Sequence, residues 1–114
     1  MMERTKIDET TVMINPGRVL DSNNAGEMSE AIDGAVAEGF RFIVLDMGEL
    51  EVISSAGVGS IIGSVDVLRA NGGDIILCNL REMVHHIFDV LDLCDYLTIE
   101  ATGEAALTFC ASRP

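Results

Sequence analysis

The sequence predicts an α/β fold with a largely parallel β-sheet, and three observations lead to this prediction. Residues 42–45 are a short apolar run, and residues 74–78 are another that opens with Asp74; neither shows polar alternation, which is typical of central strands buried on both faces. Segments with helical spacing of apolar residues separate the strand-like segments. Alternation of strands with helices indicates βαβ crossovers, which make neighbouring strands parallel.

The first part of the chain predicts two strands and a helix. Residues 10–14 are mostly β-branched or apolar and are followed by Asn-Pro-Gly, a turn signal. We expect residues 5–7 to form a short edge strand before them. Over residues 21–38 the apolar spacing becomes helical, Asn24 and Glu27 resemble a capping box, and Gly39 has the place of a C′ residue.

The second part predicts a loop over residues 47–53 and a helix that begins at Ser54 and Ser55. That helix ends at Asn-Gly-Gly, directly before the strand at 74–78. Its apolar stripe consists of Val58, Ile61, Ile62, Val65 and Leu68. A third helix starts near Arg81, and its apolar face consists of Val84, Ile87, Phe88 and Leu91. A short strand over 96–99 and a closing helix over 103–112 complete the prediction.

The charge excludes two classes of partner. The chain has 114 residues, of which 19 are acidic and 7 are basic, so its net charge is −12. Lys6 is the only lysine, and nothing in the sequence supplies a basic patch for nucleic acid or an anionic membrane. We therefore expect a protein partner that is neutral or basic. The charged amino terminus and the lack of a long apolar run favour a cytoplasmic protein.

The cysteines and histidines do not predict a metal site. Cys78, Cys94 and Cys110 form no Cys-x-x-Cys pair and lie among apolar residues, which favours reduced core thiols. His85 and His86 are adjacent, so on a helix they point about 100° apart and cannot easily share a metal. We expect one of them to be solvated and the other partly buried.

Enzymatic alternatives find little support. Asp21 and Asp46 follow strand-like segments, as acidic residues do in phospho-receiver domains. Such a site also needs a lysine near a late strand, and the only lysine of this chain is Lys6, so the sequence gives this interpretation little support. Gly57, Gly59 and Gly63 do not have the spacing or the position of a dinucleotide-binding loop, and no lysine follows a glycine run. Close packing of the helix against the sheet is the simpler explanation of these glycines.

Ser54 and Ser55 at the start of the second predicted helix allow two interpretations. One is an N-cap, in which a serine oxygen accepts a hydrogen bond from a free amide of the first turn. The other is a phosphorylation switch, because a phosphate is tolerated at the positive end of a helix dipole. Such a phosphate would add about −1.5 to −2 charges to an acidic surface.

The order and spacing of several motifs give the chain a resemblance to anti-sigma factor antagonists, the free-standing bacterial STAS domains. The matching elements are Gly-x-x-Leu-Asp at 17–21, Leu-Asp at 45–46, Ser-Ser-Ala-Gly-Val-Gly at 54–59, Gly-Gly at 72–73 and Phe-Asp-x-x-x-Leu at 88–93. The resemblance covers nearly the whole chain. It implies one STAS domain over residues 1–114, with a mixed sheet of four to five strands packed by about four helices.

The resemblance also implies a function. Members of this family bind an anti-sigma factor that is also a serine kinase, and so release the sigma factor. The kinase phosphorylates one serine at the helix start, which ends the binding, and a PP2C-type phosphatase removes the phosphate. The glycine pattern places that serine at Ser55. Ser54 stands where the family usually has aspartate and is a competing acceptor. Asp21, Asp46 and Gly57 would join both serines in the partner-binding surface.

We therefore expect a binding module with no catalytic activity, cofactor or metal, which exists as a monomer or weak dimer. Two alternatives remain open. One is a STAS subunit of a signalling scaffold or transporter complex without sigma control. The other, with less support, is a small nucleotide-binding or phosphotransfer enzyme.

Overall fold

The computed structural model describes residues 2–112 and contains two sheets and four helices in that range. The strands are β1 (Glu3–Lys6), β2 (Thr11–Asn15), β3 (Val19–Leu20), β4 (Phe42–Asp46), β5 (Val52–Ile53), β6 (Asp74–Cys78) and β7 (Thr98–Glu100). The helices are α1 (Ala25–Ala37), α2 (Ser55–Ala70), α3 (Glu82–Val90) and α4 (Gly103–Ala111). Each strand and helix predicted from the sequence is present, with bounds shifted by at most two residues except at the start of α1, which begins at Ala25 and not at residue 21.

The main sheet has the strand order β1-β2-β4-β6-β7. Its edge strand β1 is antiparallel to β2, and the other three pairs are parallel. The segments that connect the parallel strands contain α1, α2 and α3 in turn. The prediction of an α/β fold with a mixed, largely parallel sheet is therefore confirmed. Residues 42–45 lie in the central strand and are buried on both faces, as their composition indicates.

The two faces of the sheet are covered unequally. The larger core lies on the face covered by α1, α2 and α3, and includes Ile43, Leu45, Ile75, Leu77 and Phe88. The smaller core lies beneath α4 and includes Phe42, Val44, Ile76, Cys78, Ala106 and Cys110. Gly73 connects α2 to β6, where a Cβ would come within 1.7 Å of the Arg41 carbonyl oxygen, so only glycine fits there.

A second sheet, formed by β3 and β5, was not predicted. These two-residue strands are parallel, with Val19 opposite Val52 and Leu20 opposite Ile53. β5 therefore lies in the segment that the sequence predicted to be a loop. The pairing ties the chain before α1 to the chain before α2, and so fixes the start of α2 relative to the end of β3.

Two local predictions were wrong. The Asn24 side chain does not cap α1. Instead, its Oδ1 accepts a hydrogen bond from the Asp21 amide and its Nδ2 donates to the Val19 carbonyl. The buried face of α3 also differs from the predicted one. Val84 and Phe88 are buried as predicted, whereas Leu91 is 50% exposed. Gly39, by contrast, closes α1 with φ +98°, as its C′ position predicted.

Candidate functional site

Ser54 is the N-cap of α2. Its backbone is extended, and its Oγ accepts a hydrogen bond from the Gly57 amide at 3.3 Å. Its own amide donates to the Leu20 carbonyl oxygen at 3.0 Å, which joins the cap to β3. The Ser54 side chain is thus half-buried and already engaged in holding the first turn of the helix.

Ser55 is the first residue of α2 and has a different environment. It is exposed, and its hydroxyl has no hydrogen-bond partner within residues 2–112. The amino end of a helix carries a partial positive charge and amides without helical partners. The cap that the sequence allowed for this pair is therefore formed by Ser54, and Ser55 is exposed beside it.

Gly57 allows the close approach of α2 to β3. A Cβ on Gly57 would lie 2.5 Å from the Leu20 carbonyl oxygen and 3.0 Å from Ile53 Cγ1. Gly59 and Gly63 face open space, where a Cβ would meet nothing within 4 Å. The prediction that these glycines serve close packing therefore holds for Gly57 and is wrong for the other two.

Asp21 lies beside the start of α2. It directly follows Leu20, which accepts the Ser54 amide and packs against Gly57. Its Oδ1 accepts a hydrogen bond from the Asn23 amide at 2.9 Å, and its backbone carbonyl accepts from the Ala25 amide. The fold thus brings Asp21, Ser54 and Gly57 together in one region, with the carboxylate holding the turn into α1.

Asp46 has other partners. Its Oδ1 accepts from the Gly48 amide at 3.0 Å and from Asn79 Nδ2 at 3.1 Å, so it joins the loop after β4 to the end of β6. None of its hydrogen bonds reaches Asp21 or the two serines. Burial, with a smaller contribution from the Asp46 charge, raises the pKa of the neighbouring Cys78 thiol to about 11. That thiol is therefore protonated at neutral pH.

An ion pair joins the residue before β3 to the residue before β5. Arg18 Nε donates to Glu51 Oε2, and the Glu51 amide donates to the Arg18 carbonyl. The Arg18 hydrogen bond holds the pKa of the Glu51 carboxyl below its ordinary value. The Arg18 side chain is 76% exposed and the Glu51 side chain 41% exposed, so solvent screens the pair and it contributes little to stability.

The structure adds a groove that the sequence did not indicate. It lies between the start of α2 and α3, has a volume of about 410 Å³, and is mainly apolar. The residues that line it are Ile53, Ser54, Ser55, Val58, His86, Ile87, Val90 and Leu91. Both His85 and His86 are exposed, so the prediction that one of them is partly buried was wrong. The one sequence signal that could have led to the groove is the helical spacing of the apolar residues Ile87, Val90 and Leu91.

Other kinds of site receive no support in the part of the chain that is described. Over residues 2–112, no group of three or more His, Cys, Asp or Glu side chains is arranged to hold a metal ion. Over the same range, no helix combines the length and the apolar character needed to cross a membrane.

A comparison with known families gives a match to the STAS domain over residues 2–106. The chain belongs to the STAS domain family. A relative of this STAS chain is BtrV of Bordetella bronchiseptica, to which the role of anti-sigma factor antagonist is ascribed. It is 32% identical over 101 residues, which are 89% of this chain and 86% of BtrV. The anti-sigma F factor antagonist of Paenibacillus polymyxa is 30% identical over 72% of this chain and 68% of its own length.

The STAS fold is also evident from solved structures. The anti-sigma factor antagonist SpoIIAA in its unphosphorylated form superposes with a TM-score of 0.78 at 23% identity, over 98% of this chain and 99% of SpoIIAA. The structure of the phosphorylated form of SpoIIAA from Bacillus gives a TM-score of 0.75 at 24% identity, over 96% of this chain and 98% of that one. At these identities the likeness establishes a shared STAS fold.

Proposed function

We propose that this chain is an anti-sigma factor antagonist whose binding is switched by phosphorylation of Ser55. In its unphosphorylated form it binds an anti-sigma factor that is also a serine kinase, and the sigma factor is released. The kinase then phosphorylates Ser55 and the complex dissociates, and a PP2C-type phosphatase restores the binding form. The names of BtrV and the Paenibacillus relative support the antagonist role, and the two solved forms of SpoIIAA support the switch.

The observation that carries this proposal is the free, exposed hydroxyl of Ser55 at the first position of α2. A kinase must reach the oxygen, and the product must be tolerated by the fold. The hydroxyl meets the first condition, and the helix amino end meets the second because its dipole favours a negative group. Ser54 is the weaker acceptor because its oxygen holds the Gly57 amide.

The phosphate acts on the partner rather than on the fold of this chain. It adds about −1.5 to −2 charges and three strongly hydrated oxygens beside a surface that the partner must desolvate. Asp21, which lies beside the same helix start, contributes to the docking surface in this proposal, and so does Asp46 at the end of β4. Gly57 contributes by letting α2 approach β3, and thus sets the height of Ser55 above the sheet.

Incubation with the serine-kinase anti-sigma factor of the same genome and ATP tests this proposal. Intact-mass spectrometry should show one added phosphate on the wild type and none on Ser55→Ala. Ser54→Ala is the matched control, since it removes the adjacent hydroxyl and should still accept one phosphate at Ser55. Ser55→Asp should bind the kinase more weakly than the wild type does.

Four results would contradict the proposal. Phosphate on Ser55→Ala but not on Ser54→Ala would move the switch to Ser54. Unchanged affinity of Ser55→Asp would argue against a charge mechanism. If no kinase of the genome binds or phosphorylates the chain, a STAS subunit of a scaffold or transporter complex becomes the better assignment. Nucleotide binding by the isolated chain in calorimetry would favour the enzymatic alternative over a binding module.

We further propose that the switch operates in the cytoplasm and on a chain that is a monomer or weak dimer. The strong negative charge supports the second part, because copies that carry like charges repel each other. Sedimentation at several concentrations tests it, and a stable dimer at micromolar concentration would contradict it.

A further inference from the structure

Helix α3 has two apolar stripes, of which the fold buries only one. Val84 and Phe88 are buried in the larger core. The second stripe, which we call the outer stripe, consists of Met83, Ile87, Val90 and Leu91, spaced as neighbours on one side of a helix. A surface helix of a folded protein normally has one apolar stripe facing the core and polar residues on the rest of its surface.

The outer stripe is accessible to a partner. Met83 is 75% exposed, Val90 is 65% exposed and Leu91 is 50% exposed, so they are among the most exposed large apolar residues described. Ile87 is half-buried. Single exposed apolar residues are common, but a contiguous group of them marks an interaction surface.

Three residues of the outer stripe, Ile87, Val90 and Leu91, form one wall of the groove beside Ser55. Val90 and Leu91 line the groove together with Ser54 and Ser55, and Val58 of α2 lines the opposite side. Beyond His86 and Ile87 the surface continues to Met83 and Glu82 at the start of α3. The outer stripe and the proposed phosphorylation site are therefore parts of one continuous surface.

We propose that this groove receives an apolar side chain of the kinase partner, presented among basic residues. The inference rests on the proposed function and adds the chemistry of the partner's contact. No lysine or arginine lines the groove. At the far end of the surface, Arg81 is accompanied by the two acidic residues Glu51 and Glu82, and the net charge of the chain is −12. A basic partner is attracted to such a surface, whereas a second copy would bring two like charges together.

This arrangement explains how one phosphate can end the binding. Apolar contact in the groove requires that water leave both surfaces. A phosphate on Ser55 lies at the edge of the groove and keeps its hydration shell, so the partner's apolar side chain can enter only if that charge is desolvated. The groove provides affinity in the unphosphorylated state, and Ser55 controls whether it can be used.

The test compares Val90→Ser with Val67→Ser in the unphosphorylated chain. Val67 is also a helical valine and is 51% exposed, but it does not line the groove. The probe is the kinase that phosphorylates the wild type in the experiment above. In calorimetry Val90→Ser should raise the Kd about tenfold, as truncation at a binding hot spot does. Val67→Ser should change it by less than about twofold, as truncation outside the contact does. Phosphorylation of Val90→Ser should show a raised KM and an unchanged kcat, since Ser55 is intact.

The other possible results would each reject either the groove as the binding site, the proposed function, or the kinase as the occupant of the groove. Equal Kd values for both variants and the wild type would reject the groove, and Ser55 phosphorylation of the wild type would still support the proposed function. If no serine kinase of the genome phosphorylates or binds the wild type, the inference and the proposed function are both rejected. Self-association of the wild type that Val90→Ser abolishes, with kinase affinity unchanged, would identify a second copy as the occupant and reject the inference.

Discussion

Gly57 rests against the backbone of Leu20, and the fit leaves no space for a side chain. A Cβ at Gly57 would lie 2.5 Å from the Leu20 carbonyl oxygen, which also accepts the Ser54 amide. Gly57→Ala must therefore push α2 away from β3. We expect the free energy of unfolding to fall by about 2 kcal/mol, within the range for overpacking. Urea denaturation measures this change.

Gly59→Ala is the control for that substitution. Gly59 is two residues along the same helix, is exposed, and would meet no atom within 4 Å. Alanine there should raise the free energy of unfolding by about 0.5–1 kcal/mol, because glycine loses more backbone entropy in a helix. Changes of the same sign in both variants would contradict the contact between Gly57 and Leu20.

The two adjacent serines should differ in their effect on stability. Ser54→Ala removes the oxygen that accepts the Gly57 amide and should lower the free energy of unfolding by about 1 kcal/mol. Ser55→Ala should change it by less than about 0.5 kcal/mol, since Ser55 is exposed and holds no group. Thermal unfolding of both variants checks this, and a larger loss at Ser55 would reverse the assignment of the cap.

Asp74 is nearly buried and has three polar partners. Arg69 Nε donates to it at 3.0 Å, Thr98 Oγ1 at 2.6 Å and the Ile75 amide at 2.8 Å. Arg69→Met leaves this carboxylate without its counter-charge. Removing one partner of a fully buried pair costs about 3–5 kcal/mol. The Arg69 side chain is 34% exposed, so water can replace part of its interaction with the carboxylate. We therefore expect the free energy of unfolding in urea denaturation to fall by about 2 kcal/mol.

Arg18→Met provides the comparison for Arg69→Met. Arg18 pairs with Glu51, but both side chains are largely exposed, and such pairs contribute about 0–1 kcal/mol. Moderate salt should reduce that small contribution further because it screens exposed charges. Equal losses for the two arginine variants would show that burial of Asp74 does not matter.

The buried thiols predict a loss of stability at alkaline pH. Burial raises the pKa of both Cys78 and Cys110 from 9.0 to about 11. In the unfolded chain these thiols ionise near pH 9, whereas in the folded chain they keep their protons to about pH 11. Between these values the unfolded state binds fewer protons, so the free energy of unfolding falls as pH rises.

The variant with both Cys78→Ala and Cys110→Ala isolates this contribution. Its free energy of unfolding should fall less steeply than that of the wild type between pH 9 and about pH 11 in urea titrations. Tyr96, whose pKa is raised by its hydrogen bond to Asp66, titrates in both proteins and cancels in the comparison. Equal slopes would show that the two thiols are accessible to water in the folded state.

The elements that the sequence predicted are those whose signal is local. The strands β4 and β6 each contain a run of four apolar residues, and α2 begins at a serine pair that suits an N-cap. The strands β3 and β5 have two residues each, too few for any periodicity. They form only because the chain before α1 meets the chain before α2, and this contact depends on the assembled fold.

The candidate site follows the same division. The position of Ser55 at the first turn of α2 was predicted because a helix start is a local feature, but the fact that Ser54 forms the cap depended on which oxygen reaches the Gly57 amide. Leu91 of the outer stripe was predicted to lie on the same apolar face of α3 as the buried Val84 and Phe88, because helical spacing shows which residues share a side and not what covers them. Leu91 has the right spacing for the core and is half exposed.

The unequal covering of the sheet has a consequence for synthesis of the chain. Phe42, Val44 and Ile76 lie on the face that α4 covers, and α4 follows every other described element in chain order. While the ribosome makes the chain, the remaining helices can close the opposite face first. The face beneath α4 stays in water until Gly103–Ala111 has emerged. A pause in translation before that point would therefore hold the nascent chain in the form most exposed to aggregation and to chaperone binding.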